Sequence, residues 1–146
     1  MLLTITQETT FEKARKAIKL AKAPIIFESF DDDLNRQVLE KEKIHILLIS
    51  QKNRKDFQKQ RNSGFNQVLA KLCKKNNVAV GINLDEITSA EKKEKAQILA
   101  RVKQNIKLCN KNKLKMSFIG KNKDIYDLTS LGIVLGMPTS MITSFN

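Results

Sequence analysis

The stretch Arg61–Leu84, RNSGFNQVLAKLCKKNNVAVGINL, restricts this chain more than any other, because a helix pattern runs into a buried-strand pattern with no linker between them. Phe65, Val68, Leu69 and Leu72 stand at i, i+3, i+4 and i+7, the spacing of one apolar helical stripe, and Ser63 is placed to cap a helix opening near Gly64. Asn76-Asn77 stops that helix, since Asn tolerates the left-handed conformation in which many helices close. Val78-Ala79-Val80-Gly81-Ile82 follows at once and carries no polar side chain. A strand without polar alternation is buried on both faces, which calls for a parallel sheet covered by helices, so the fold class is α/β.

The same two patterns recur along the chain. Leu2–Thr6 is expected as a first strand and Gln7–Lys22 as a helix, with Phe11, Ala14, Ile18 and Ala21 on one face and Thr9 or Thr10 as cap. Ile25–Phe27 is a second strand, with Pro24 at its first position, where no ladder hydrogen bond is lost. Phe30–Glu42 contains a helix opened by Asp31, Asp32 and Asp33. Three consecutive residues splay over roughly 200° of a helix and cannot face one ion, so the triplet complements the helix dipole rather than binding metal. Ile44–Ile49 is the third strand and carries His45, the one histidine. With no second His, paired Cys or Asp-Ser arrangement near it, His45 is read as a structural, hydrogen-bonded residue. Beyond the fourth strand, a long helix from Thr88 or Ser89 to about Asn110 would bury Ile98, Val102, Ile106 and Cys109. Leu114–Ile119 is a fifth strand, Tyr126–Leu135 a last helix ending at Gly136, and Met141–Thr143 a terminal strand. Repeated βα units form either a doubly wound sheet or a TIM-barrel-like array, and periodicity does not separate the two. At 146 residues the whole chain is expected to be a single α/β domain.

Charge adds a functional signal. Residues 1–50 carry 8 basic and 8 acidic side chains, whereas residues 51–146 carry 19 and 7, so the whole net charge of +12 lies in the second part. Two segments concentrate it. QKNRKDFQKQR, at 51–61, follows the third strand and places Lys52, Arg54, Lys55, Lys59 and Arg61 where parallel α/β folds receive ligands. Phe57 within it either stacks on a base or packs the loop onto the body. Residues 101–123 hold eight basic residues and no acid, among them Lys103, Lys107, Lys121 and Lys123. These nine residues are the expected RNA-binding set, pairing with phosphates. No GxGxxG, GxxxxGK[ST], HExxH or GxSxG motif is present, and Cys73 and Cys109 lack zinc-site spacing, so no catalytic residue, metal ligand or cofactor is assigned. No apolar run reaches the ~18 residues of a membrane span and no leader-like segment opens the chain, so a cytoplasmic protein with no membrane partner is expected.

Three blocks, RNSGFNQVLAKLCKKNNVAVGINLDEI, ARVKQNIKLCNKNKLKMSFIG and DLTSLGIVLGM, resemble the central and C-terminal parts of ribonuclease P protein component 3, the archaeal counterpart of the eukaryotic thirty-kilodalton subunit. The likeness covers about residues 61–136 and lies in the basic-x-Ser-Gly-x-Asn opening, the Arg-x-x-x-Asn-Ile helix and the Leu-Gly-x-x-Leu-Gly close. It implies a TIM-barrel-like fold, here truncated or incomplete, because the opening LLTIT lacks the family's Asp-rich first strand. It also implies a non-catalytic protein subunit of an RNA-based endonuclease, the hydrolase that matures the 5′ end of precursor tRNA. Its partners would then be ribonuclease P RNA, precursor tRNA and another protein subunit. The absence of His-x-His carries no metal site over. Self-association through the apolar termini, Leu2–Ile5 and Met137–Phe145, is a further expectation, against closure of Met141–Thr143 onto the first strand. The competing functional class is a small α/β enzyme acting on phosphorylated substrates.

Overall fold

The computed structural model describes residues 4–121 and 124–143. Its elements alternate as read from the sequence: β1 (Ile5–Gln7), α1 (Phe11–Leu20), β2 (Ile26–Glu28), α2 (Asp32–Lys41), β3 (Ile46–Ile49), α3 (Gln67–Asn76), β4 (Ala79–Asn83), α4 (Leu84–Ser89), α5 (Lys92–Lys111), β5 (Met116–Ile119) and α6 (Ile125–Val134). A 3-10 turn, Thr139–Met141, follows α6.

All five strands are parallel, and their order in the sheet is their order in the chain, β1-β2-β3-β4-β5. Each crossover therefore steps one strand in the same direction. Right-handed crossovers that never reverse put every helix on one face, whereas a doubly wound sheet reverses and covers both. The core shows this arrangement. Phe27, Leu47, Ile49, Val80, Ile82, Met116 and Phe118 share one cluster with the buried residues of α1 to α5. The opposite face is built by Ile26, Ile46, Leu48, Ala79 and Ile119, which form a separate cluster of strand residues alone. A Cβ added to Gly81 would lie 3.1 Å from both Ile46 and Leu48, so that strand position is open for inner-face side chains to close over it. This is the barrel-type winding, present as five units of an open array.

Local sequence explains most element ends. Thr10 caps α1 by accepting from Lys13 N at 3.4 Å, and Asp31 caps α2 by accepting from Asp33 N and Leu34 N. Asn77 closes α3 in the left-handed conformation with φ 55°, and Gly136 does the same after α6 with φ 97°. His45 is structural: its Nδ1 accepts from Ile25 N at 3.0 Å.

Several expectations are corrected. α3 opens at Gln67, with Asn66 as its cap, rather than at Gly64 under Ser63. Its buried face is Leu69, Ala70 and Cys73, and Val68 is half exposed. The long helix expected from Thr88 or Ser89 is broken, because Asn83 caps a separate α4 directly after β4 and Ala90-Glu91 run extended before α5. α1 starts later than Gln7, which is a β1 residue. Met141–Thr143 is not a full strand. Ile142 forms one parallel bridge to Met116, and Thr143 N donates to Met116 O at 2.9 Å, so the tail joins the β5 edge and not β1. Met137 and Met141 are buried in the main core, which corrects their reading as uncovered apolar ends. Leu2 and Phe145 lie outside the described residues.

Candidate functional site

The carboxyl ends of β2, β3 and β4 converge on polar side chains directed to the inner face. Ser50 Oγ donates to the buried Glu28 carboxylate and accepts from Asn83 Nδ2 at 3.1 Å, linking the three strands. From Ser50 the chain enters the basic segment, whose course is dictated by a few buried polar groups. Gln51 N and Lys52 N donate to the two carboxylate oxygens of Glu86 at 2.7 and 3.1 Å. Burial pushes the Glu86 carboxyl above its ordinary range, and the two backbone donors oppose that shift.

Arg101 is the second anchor. It comes from α5, is almost fully buried, and donates to Gln51 O at 3.1 Å, to Arg54 O at 2.8 Å and to Asp56 Oδ1 at 2.9 Å. Asp56 also accepts from Asn62 N at 2.9 Å and lies 3.7 Å from Arg61 Nη1, so one carboxylate closes the loop on itself. The Arg101 hydrogen bond, with help from Asn62, holds the Asp56 carboxyl below its ordinary range. Gln51 Nε2 reaches Ser63 O at 2.8 Å and pins the far end of the loop.

The expected RNA-binding residues divide into three groups. Lys52, Lys55, Lys59 and Arg61 stand exposed on this pinned loop, and Lys121 is exposed at the carboxyl end of β5, with its backbone N–H donating to Asp85 at 3.2 Å. Arg54 is different. Its side chain is only 9% exposed, pairs in two places with Asp32 at 3.0 and 3.2 Å and donates to Ser50 O, so it ties the loop to α2. Lys103 and Lys107 are exposed on α5, Lys107 lying about 9 Å along the helix from Arg101. Lys123 lies outside the described residues. Phe57 is 62% exposed, so it does not pack the loop onto the body.

Arg101, Asp56, Glu86 and Gln51 were not singled out from the sequence as site residues. For Arg101 a signal existed: it falls at Ile98 plus three, on the buried stripe of α5, where an arginine requires acceptors. Among the described residues no group of three or more His, Cys, Asp and Glu could hold a metal ion, and no helix is long and apolar enough to cross a membrane.

Fold and site together define an α/β chain of sequentially wound βα units that presents an ordered cationic loop at the carboxyl end of its sheet. No protein-family model matches it. The chain is similar to ribonuclease P protein component 3, and the likeness extends beyond residues 61–136. The relative from Methanococcus maripaludis strain C7 is 26% identical over 134 residues, which is 92% of this chain and 55% of that protein. The one from Methanosarcina mazei is 31% identical over 106 residues, 73% of this chain and 41% of that protein. Among solved structures, a chain of archaeal ribonuclease P with mature tRNA superposes with a TM-score of 0.74 at 24% identity, over 92% of this chain and 59% of that one. This chain therefore spans about half the length of the curated relatives it matches, and the solved neighbour supports the barrel-type fold.

Proposed function

We propose that this chain serves as a protein subunit of ribonuclease P, assisting a catalytic RNA in 5′-end maturation of precursor tRNA. The observation that carries this reading is the similarity to ribonuclease P protein component 3 over 92% of the chain. The pinned cationic loop supplies the means. Lys52, Lys55, Lys59 and Arg61, together with Lys103, Lys107, Lys121 and Lys123, contact phosphates, while Arg54 holds the loop in place. An RNA folds only where its phosphate repulsion is neutralised, and a protein contributes to this without acid, base or metal of its own. The subunit works in the cytoplasm as a single domain, beside ribonuclease P RNA, precursor tRNA and a second protein subunit.

Salt titration tests this. Affinity for ribonuclease P RNA or precursor tRNA should fall steeply with salt, and replacing Lys52, Lys55, Lys59 and Arg61 together by Ala should flatten the log K against log[salt] slope by about 3, at roughly 0.7–0.9 per lost phosphate contact. An unchanged slope removes the loop from the interface. Pure protein that binds no RNA and hydrolyses phosphoesters would replace the subunit reading with that of an enzyme.

A further inference from the structure

A cleft of about 460 Å³, of a size usual for ligand sites, opens between the first two βα loops and is lined by Gln7, Glu8, Thr9, Ser29, Phe30 and Asp31. It belongs to the same end of the sheet as the cationic loop, because both follow carboxyl ends of parallel strands. The Arg54–Asp32 pair fastens the loop to the residue next to Asp31. Phe30, which lines this cleft, is 64% exposed. Asp31 Oδ1 accepts from Asp33 N and Leu34 N at 3.0 and 3.4 Å, and among the described residues no donor meets Oδ2.

We propose that this cleft receives one unpaired nucleobase of a bound RNA, stacked on Phe30 and read by Asp31 through the base's exocyclic amino group. The inference rests on the RNA-binding reading and adds what kind of nucleotide the protein selects. Two carboxylates, Glu8 and Asp31, repel phosphate from the cleft, so the backbone stays outside, over Lys52 and Lys55, while the flat uncharged base enters. Every base offers a π-face to an aromatic side chain, but only adenine, cytosine and guanine offer an exocyclic amino donor to a carboxylate. Cytosine presents its N4 amino group, whereas uracil presents a carbonyl oxygen there. Cytosine is therefore bound in preference to uracil at equal phosphate charge.

The test uses the full chain with ten-nucleotide oligo(C) and oligo(U) at pH 7, across a range of salt. Oligo(C) should bind about tenfold more tightly. Phe30→Ala should weaken oligo(C) binding roughly 5- to 100-fold with an unchanged salt slope, since it removes a stacking contact and no phosphate contact. Asp31→Asn keeps a good helix cap while turning an acceptor into a donor, and should shift the preference toward oligo(U). Far-UV circular dichroism of both variants checks that the fold is kept, which the exposure of Phe30 favours. Equal affinity for the two oligomers, or Phe30→Ala binding like the parent chain, overturns the base site while leaving the phosphate-binding loop standing. A parent chain that binds neither these oligomers nor structured RNA overturns both.

Discussion

Arg101 occupies a position that the apolar periodicity of α5 gives to a hydrophobic side chain, and it is tolerated there because three oxygens meet its guanidinium at 2.8 to 3.1 Å. Gly64 serves the same loop from below: its φ is +73°, and a Cβ there would sit 2.3 Å from Arg54 Nη2, so a side chain would displace the Arg54–Asp32 pair. Asp56 makes the clamp sensitive to acid. Its folded pKa is depressed, chiefly by the Arg101 hydrogen bond, so the stability it contributes is complete above the ordinary carboxylate value near 4 and is lost as pH falls through the depressed value. Asp56→Asn should therefore lower stability at neutral pH and make its decline below about pH 4 shallower than in the parent chain. Urea denaturation at a series of pH values measures this, and parallel acid limbs in the two proteins would contradict it. The thiols contribute nothing of the kind, since burial pushes Cys73 up to about 12 and Cys109 higher still.

At the scale of elements, α3 shows how a correct periodicity yields a rotated face. Phe65, Val68, Leu69 and Leu72 satisfy helical spacing, but Phe65 precedes the helix that Asn66 caps, and its burial belongs to the loop. The stripe turned to the sheet is Leu69, Ala70 and Cys73. Leu69→Ala should cost about 2–4 kcal/mol, whereas Val68→Ala should change stability by no more than about 0.5 kcal/mol. Comparable losses in thermal or urea unfolding would restore the stripe expected from the sequence. The break between α4 and α5 follows from chemistry at the strand end: Asn83 accepts from Glu86 N at 3.3 Å and starts a helix at once, which carries Glu86 to the amides of Gln51 and Lys52.

Over the whole molecule, the uniform direction of winding decides both the one-sided helical cover and the common end at which the loops gather. The tail takes part in this body. Met137 and Met141 are buried, and Thr143 N bonds to β5. Deleting residues 137–146 should therefore not convert a dimer into a stable monomer. Each buried methionine lost is worth about 2–5 kcal/mol, which together approaches the entire stability of a domain this size. The truncated chain is expected to lose cooperative thermal unfolding, and a sharp transition near that of the full chain would place the tail outside the core.

What the sequence determined by itself is what local physics controls. Unbroken apolar runs such as Val78–Ile82 require a buried parallel sheet, Thr10, Asp31, Asn77 and Gly136 mark helix ends through their own side chains or backbone freedom, and the whole net positive charge falls in residues 51–146. The resemblance to ribonuclease P protein component 3 was legible too, in blocks such as Arg-x-Ser-Gly-x-Asn, although not the reason for them. That reason is tertiary. Arg54 above Gly64, Ser63 accepting from Gln51, and Arg101 against Asp56 join residues 10 to 45 positions apart, and sequence spacing holds no information on such distances. Periodicity likewise left open the choice between a doubly wound and a barrel-type sheet, which the resemblance implied and the strand order decided, because a βα unit has the same periodicity whichever edge of the sheet its next strand joins.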